Sequence, residues 1–460
     1  MRDQRRHPTH GAPGRGGAFR RRRAVRAAMS LVVAAITALV AAVGPGSTAW
    51  AQEQAQPQRG PECPSVLDCR FVQAGAGRFA PADRPHDGLR IRFIVIHDTE
   101  VTYDKTVALF AGPGPGAAAN YLVRSSDGQV TQFIPTHDVA YHAGNFWFNS
   151  HSIGIEHEGF LAQGGQWYTE AMYRSSARLV RWLAGRFHIP LDRDHILGHE
   201  EIPGQEPATV PGMHFDPGPY WDWAHYFDLL RAPLSRPNRG FPHLPLPGPR
   251  VVVIAPRFED NVEPLQDCTA TGCTVLPQQG SNIVYLHTEP RPDAPLISDP
   301  DLHPDGAPGT TDLSDWSARA LTGDPYVIAA RARGWTGIWF NGRLGWFENP
   351  HGCNGYPVHR IVVTPRLERG SIPVYGAAYP ELGAYPSGVE ATHIVPLRET
   401  IQAGQFYVAM QYVPGDDYAK SGDPADPTGR IHVVGHRRLI EISFNHRRAF
   451  LDADDVLILG

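Results

Sequence analysis

The residues that offer chemistry are two histidines and two carboxylates in the first half of the chain. His97 ends the apolar run IRFIVIH, His199 lies in LGHEEIPGQ and Asp216 opens DPGPYWDW. Two imidazoles and one carboxylate make a three-ligand zinc site that leaves a fourth position for water, whose pKa the metal lowers to about 7. Glu156, in SIGIEHEG, is the candidate to accept the proton of that water.

A local metal site around His199 is excluded by the residues that follow it. His199 and Glu200 match the start of H-E-x-x-H, but Pro203 stands where the second histidine belongs and disfavours a helix there. The scattered site has plain alternatives, because the chain has 22 histidines, Asp216 precedes a Pro-Gly turn, and Glu156 suits a strand ion pair. Spacing alone therefore leaves the site open.

Strand and helix signals alternate between residues 60 and 231, which predicts an α/β domain. The predicted elements are a buried strand at 91–97, a helix at 103–112, a hairpin at 120–135, a strand at 152–159, and amphipathic helices at 168–187 and 218–230. Asp104 is the predicted N-cap of the first helix, Gly112 its stop, and Pro219 the first residue of the last helix.

Six short motifs of this part resemble, in the same order along the chain, the zinc-dependent N-acetylmuramoyl-L-alanine amidases of the type-2 amidase and peptidoglycan recognition protein superfamily. They are FIVIHDTE, YLVRSSDGQVTQFIP, AYHAGN, SIGIEHEG, ILGHEEIPG and HFDPGPYWDW, within residues 90–230. The resemblance implies a central mixed sheet flanked by helices, with His97, His199 and Asp216 as Zn2+ ligands. It also implies Glu156 as the catalytic acid/base.

The chain departs from the family pattern at several positions. His214 stands where a lysine is frequent and is assigned to oxyanion stabilisation. Asn120 stands where a histidine is common; with His142 and Trp147 it is assigned to substrate binding, although a packed structural His142 is an equal alternative. Asp98 replaces a second histidine and has no assigned role.

The first 51 residues predict a signal peptide. They carry nine Arg and one Asp, then the apolar run LVVAAITALVAAV and an A-x-A-like end at Ala51. That run is short for a membrane span, so an uncleaved anchor is the lesser alternative, and Sec and Tat export both stay open. Cleavage changes the net charge from −5 to −5 − 8 = −13, which argues against nucleic acid as a partner.

The five cysteines suit an oxidising compartment. Cys63 pairs with Cys69 and Cys268 with Cys273 in the predicted scheme, which leaves Cys353 over. Neither pair has the C-x-x-C spacing of a zinc knuckle.

The Pro-rich segment 232–250 predicts a linker between the zinc amidase domain (60–231) and a C-terminal part. In that part IWFNGRLGWF (338–347) aligns with ISFNHRRAFL (442–451), so two small all-β modules are predicted, at 251–352 and 353–460. They resemble bacterial SH3-like repeats. Their aromatic residues either stack on cell wall or, as the favoured alternative, fill a small core: Trp335, Trp339, Trp346 and Phe347.

Together these observations predict a secreted, monomeric zinc amidase of the cell wall, without a stable membrane anchor, that cleaves peptidoglycan between N-acetylmuramic acid and L-alanine. Two alternatives remain: a peptidoglycan-binding protein without catalysis, and a hydrolase of another amide.

Overall fold

The computed structural model describes residues 60–234, 249–422 and 428–460. The predicted signal peptide and most of the predicted linker 232–250 lie outside the described residues. Within the described ranges, no helix has both the length and the apolar character needed to cross a membrane.

The N-terminal part is built on a six-stranded mixed sheet. The strands and helices of this part are β1 Cys69–Phe71, β2 Phe79–Ala80, β3 Phe93–Asp98, α1 Tyr103–Ala111, β4 Tyr121–Val123, β5 Val130–Gln132, β6 Val139–Ala140, α2 Phe146–His151, β7 Ser152–His157, α3 Gly164–Trp167, α4 Glu170–Phe187, β8 Ile196–Gly198 and α5 Trp223–Leu229. The order of the strands in the sheet is β1-β5-β4-β7-β3-β8, and β2 and β6 form a separate small pair.

The predicted strands and hairpin of this part are present. Strand β3 is buried along its whole length, as its unbroken apolar run requires, and it pairs in parallel with β7 and β8. Strands β4 and β5 form the predicted antiparallel hairpin. The α/β expectation for this part is confirmed.

The helices are present, with two of the predicted starts in error. Helix α4 begins after the N-cap Thr169, whose side chain accepts the Met172 amide. Helix α1 ends at Gly112 as predicted, but its N-cap is Thr102, and Asp104 lies in the first turn. Helix α5 begins after Asp222, whose carboxylate caps it, rather than at Pro219. A side chain that accepts an amide outweighs proline as a start signal there.

The C-terminal part is rich in strands, and the helical segments among its described residues are all short 3₁₀ turns. Its strands are β9 Val251–Ile254, β10 Gln266–Thr269, β11 Gly272–Val275, β12 Ile283–Tyr285, β13 Arg319–Leu321, β14 Pro325–Ala332, β15 Trp335–Phe340, β16 Arg343–Glu348, β17 Gly355–Val358, β18 Val362–Pro365, β19 Ser371–Tyr375, β20 Pro396–Gln402, β21 Tyr407–Lys420, β22 Arg430–Ser443, β23 Arg448–Asp452 and β24 Val456–Leu459.

Two larger antiparallel sheets organise these strands. One has the order β16-β15-β14-β9-β17 and the other β20-β19-β23-β22-β21-β18-β24. The two copies of the sequence repeat meet at their matching turns, where the Asn445 amide donates to the side-chain oxygen of Asn341 across 3.2 Å. The boundary predicted at 352/353 and the SH3-like character stay predictions.

The N- and C-terminal parts share their hydrophobic core. The described residues within 60–268 and 273–460 belong to one compact unit. Alternate residues of β3 face opposite sides, and those on one side are covered by C-terminal residues. The shared cluster includes Phe93, Val95, Trp147, Leu197, Ile202, Ala378, Tyr379, Val413 and Phe450. The C-terminal part therefore covers one face of the N-terminal sheet.

Both predicted disulfides are formed, Cys63–Cys69 and Cys268–Cys273. Cys353 is exposed and outside both of them.

Candidate metal centre

The carboxyl ends of neighbouring parallel strands bring the candidate residues together. His97 lies at the end of β3, and its register partner on β7 is Glu156. Gly198 on β8 pairs with Ile96, so His199 comes next to the end of β3. Side chains at this edge of an open parallel sheet meet in one crevice, which is the usual ligand position.

Backbone hydrogen bonds hold Asp216 in this crevice although it lies on no strand. The Asp98 amide donates to Asp216 Oδ2 across 3.1 Å. The Glu200 amide donates to the Asp216 carbonyl across 2.8 Å. The residues beside the two histidines thus fix the position of the carboxylate.

Three potential ligand atoms converge. His97 Nδ1 lies 3.1 Å from His199 Nδ1 and 3.4 Å from Asp216 Oδ2, and His199 Nδ1 lies 3.1 Å from Asp216 Oδ1. Zinc–nitrogen bonds of 2.0–2.1 Å in a tetrahedron would place ligand atoms about 3.3 Å apart. The three residues are buried and form a group that can hold a metal ion. Their spacing therefore suits zinc.

The protonation of this group also suits a cation. Burial lowers the pKa of His199 to about 4 and that of His142 well below its usual range. Burial raises the pKa of Asp216, but the electrostatic effect of His199 and hydrogen bonds from His199 and His214 outweigh burial and leave that pKa well below its usual range. Neutral imidazole and ionised carboxylate are the forms that bind metal.

His142 fixes the tautomer of His97. The Ser152 hydroxyl donates to the Phe148 carbonyl across 2.6 Å, so its oxygen is left to accept from His142 Nε2, 3.0 Å away. His142 Nδ1 then accepts from His97 Nε2 across 2.9 Å. His97 Nδ1 therefore carries no proton and presents its lone pair to the other ligand atoms.

Gly154 makes this arrangement possible. A Cβ atom at Gly154 would lie 2.6 Å from the His142 ring, so the strand needs glycine for the ring to pack over it. His142 is only 6% exposed. In this structure His142 packs against Gly154 and bonds to His97 and Ser152, and its assignment to substrate binding stays a prediction.

Glu156 faces the same crevice with an unsatisfied carboxylate. Its Oε2 is buried and has no hydrogen-bond partner. Burial and the charges of Asp216 and Asp98 raise its pKa well above the usual range. A carboxyl group in this state is suited to accepting and returning a proton.

His214 is the exposed member of the site. Its side chain is 71% exposed, and Nδ1 lies 3.5 Å from Asp216 Oδ1. The nearby Asp216 carboxylate raises the pKa of His214 above its ordinary value. It is placed to donate toward solvent or substrate at the mouth of the crevice.

Two residues predicted to bind substrate lie in the core. Trp147 is 1% exposed and its indole donates to Asp416 on β21 across 3.0 Å. Asn120 is completely buried, and its amide oxygen accepts the Gly154 amide across 3.1 Å. Neither faces a groove in this structure, because the C-terminal part covers Trp147 and the sheet encloses Asn120.

Two residues that contribute contacts to this site, Ser152 and Arg447, were not predicted from the sequence. Ser152 ends the series of hydrogen bonds that runs from His97 through His142. Arg447 donates to the His214 carbonyl across 2.8 Å, from the second copy of the repeat. The repeat was visible in the sequence, but nothing in it linked that turn to residues more than 200 positions earlier.

Comparisons with known proteins concern the part that carries these residues. Residues 87–219 match the family model described as N-acetylmuramoyl-L-alanine amidase. N-acetylmuramoyl-L-alanine amidase A of Achromobacter lyticus is 32% identical over 155 residues, which cover 30% of this chain and 82% of that protein.

Two further matches cover smaller shares of the relatives. The 1,6-anhydro-N-acetylmuramyl-L-alanine amidase AmpD of Enterobacter cloacae is 34% identical over 119 residues, covering 25% of this chain and 57% of that protein. The crystal structure of AMPDH3 from Pseudomonas aeruginosa shares 22% identity at a TM-score of 0.26, covering 30% of this chain and 59% of that one.

Proposed function

This chain belongs to the N-acetylmuramoyl-L-alanine amidase family, and on that premise we propose that it is an exported zinc hydrolase of peptidoglycan. The bond it cleaves is the amide between N-acetylmuramic acid and L-alanine. The convergence of two imidazole nitrogens and one carboxylate within 3.1–3.4 Å of one another carries the proposal.

His97, His199 and Asp216 would hold the zinc ion. When bound, zinc would polarise the substrate carbonyl and lower the pKa of a water molecule beside it. The ring of His142 keeps His97 in the tautomer that this role requires.

Glu156 moves the proton. As a carboxylate it accepts a proton from the water that attacks the lactyl carbonyl, and the C–O bond forms on that carbon. Protonated Glu156 then donates to the amide nitrogen as the C–N bond breaks, which releases the L-alanine amine. The unpartnered Oε2 supports this role because no protein group competes for it.

His214 stabilises the negative oxygen that forms on the substrate. Its exposed ring lies beside Asp216, where it can donate to that oxygen. Such a donor accounts for roughly 2.7–4 kcal/mol of transition-state stabilisation in enzymes where it has been removed.

The remaining features fit an extracytoplasmic enzyme acting on the wall. The signal-like segment, two disulfides and the acidic mature chain support secretion, and we propose a monomer without a membrane anchor. We propose SH3-like modules for the C-terminal part. Phe347 belongs to its core, whereas the side chains of Trp335, Trp339 and Trp346 remain partly exposed.

Mass spectrometry of a purified muropeptide incubated with the zinc-loaded mature protein tests the proposal. The expected products are the muramyl glycan and a peptide with a new L-alanine amino terminus. Glu156→Gln, loaded with zinc, is the control for contaminating hydrolases. An intact muropeptide after incubation with zinc-bound wild type would contradict catalysis and leave the recognition-only alternative.

A further inference from the structure

The turn between β22 and β23, residues 444–447, and the first residue of β23, Arg448, enter the amidase part beside the metal centre. This segment contains the second copy of the repeated Phe-Asn-x-Arg sequence, and its three basic residues are at most 3% exposed. Asn445 bonds to Asn341 of the first copy, which anchors the turn to the β region. Three consecutive basic side chains in a protein interior need specific partners.

Each of the three side chains contacts a different residue beside His199. His446 Nε2 lies 3.2 Å from Glu200 Oε2. Arg448 donates to Glu201 Oε1 across 2.6 Å, and Glu201 Oε2 accepts the Gly198 amide across 2.7 Å. The turn therefore contacts the segment that carries a proposed ligand.

Arg447 joins two separate segments of the site. Its Nη1 donates to the Ile202 carbonyl across 2.5 Å and its Nη2 to the His214 carbonyl across 2.8 Å. The Ile202 amide donates in turn to the His199 carbonyl across 3.0 Å, and His214 lies two residues before Asp216. One guanidinium thus spans the chain after the His199 ligand and the chain before the Asp216 ligand.

These segments have little regular structure of their own to fix them. Between β8 and α5 the chain forms only two 3₁₀ turns of three residues each. Arg447 is itself fixed, because its guanidinium lies 4.2 Å above the Trp316 ring. A planar, charged donor with two parallel N–H groups can hold two carbonyls at a set separation.

We propose that Arg447 is a positioning residue of the amidase site, so that the C-terminal β region completes the site rather than only tethering the enzyme to the wall. It acts through the carbonyls of Ile202 and His214 and keeps His199 and Asp216 at metal-binding separation. The catalytic consequence of this inference rests on the proposed function, whereas the expected effects on metal affinity and on the order of segment 199–216 do not.

The test uses the full mature chain and the variants Arg447→Gln and Arg447→Lys. Arg343→Gln is the matched control, because Arg343 is the equivalent arginine of the first repeat copy. Its charge opposes the rise that burial causes in the pKa of Glu399 and of Tyr407. Three quantities are measured: the zinc dissociation constant by competition with a chromophoric chelator, hydrogen exchange of segment 199–216, and kcat and KM on muropeptide.

Arg447→Gln is expected to weaken zinc binding by about 10- to 100-fold, the effect of losing a group that orients ligands. Its kcat is expected to fall by about 100-fold, as for a displacement of about 1 Å, with a smaller change in KM. Exchange in segment 199–216 should be faster. Arg447→Lys should bind zinc with intermediate affinity, because an ammonium cannot hold both carbonyls in a fixed fork.

Wild-type zinc affinity and wild-type exchange in folded Arg447→Gln would overturn the proposal. If Arg447→Gln does not fold, Arg447→Lys decides: weaker zinc binding supports the proposal and wild-type affinity overturns it. A similar loss of affinity in Arg343→Gln would also overturn it, by showing a general effect of destabilising the β region. Failure of wild type to cleave muropeptide would refute the proposed function alone, since affinity and exchange remain measurable.

Discussion

Asp416 is the residue whose replacement should most directly weaken the junction between the two parts of the chain. It lies on β21 and is 3% exposed. Its Oδ1 accepts the Trp147 indole N–H across 3.0 Å, and its Oδ2 lies 3.0 Å from Nε2 of both His151 and His432. Trp147 and His151 belong to α2, so one carboxylate connects the amidase part to the β region.

The expected cost follows from what each variant leaves unpaired. Asp416→Ala leaves the indole and imidazole donors without a partner in the core. Breaking a buried ion pair in this way costs about 3–5 kcal/mol. Asp416→Asn keeps the shape and an oxygen for Trp147. Its amide can also donate to a neutral His151, whose Nδ1 faces the Trp147 carbonyl 2.7 Å away. We therefore expect about 1–2 kcal/mol for Asp416→Asn, the net value of a hydrogen bond or two.

Urea denaturation followed by tryptophan fluorescence measures these losses, with Glu390→Ala as the control. Glu390 pairs with Lys420 at the surface, where both side chains are mostly exposed, so its loss should change the free energy of unfolding by less than about 1 kcal/mol.

The pH dependence provides an independent check. Burial raises the pKa of Asp416, but the charge and hydrogen bond of His151 outweigh it and leave the pKa below its ordinary value. A group with a lowered folded-state pKa stabilises the protein above its unfolded pKa of about 3.9, and this stability is lost as the pH falls below that value. Asp416→Asn should remove the part of the stability loss at acid pH that comes from protonating Asp416. An Asp416→Ala variant as stable as wild type at pH 7 would refute the assignment of Asp416 as a junction residue.

Three further predictions concern catalysis, the metal and one helix cap. Glu156→Gln should lower kcat by about 10²- to 10⁴-fold while zinc content, measured by atomic absorption, stays at the wild-type level; a near-normal rate would contradict its acid/base role. Removal of zinc with a chelator should abolish muropeptide cleavage and lower the Tm, since a ligand at 100 times its Kd stabilises the folded state by about 2.7 kcal/mol; an unchanged Tm and rate would contradict a metal at His97, His199 and Asp216. Thr169→Ala should cost about 0.5–2 kcal/mol in urea denaturation because it removes the side-chain cap of α4, whereas Thr102→Ala, at a cap position without a side-chain hydrogen bond, should cost less; equal losses would argue against the cap.

Local sequence patterns were sufficient to predict elements whose own residues determine their structure. The apolar run before His97 predicted β3, and the helical spacing after Thr169 predicted α4. The two disulfides followed from short spacings. The proposed ligands came from a resemblance spread over six motifs, because residues 97, 199 and 216 are too far apart for spacing to relate them.

The tertiary structure alone decided what covers each surface and which distant groups meet. The unbroken apolar run of β3 shows that both faces are buried, but it does not show that Phe450 and Tyr379 cover one of them. The same limit explains Trp147, whose sequence context suggested a groove while its indole is held by Asp416, 269 residues later. Arg447 is a third case, since its backbone carbonyl partners carry no sequence signal: every residue has a carbonyl, and only the packing of two chain parts selects which one is met.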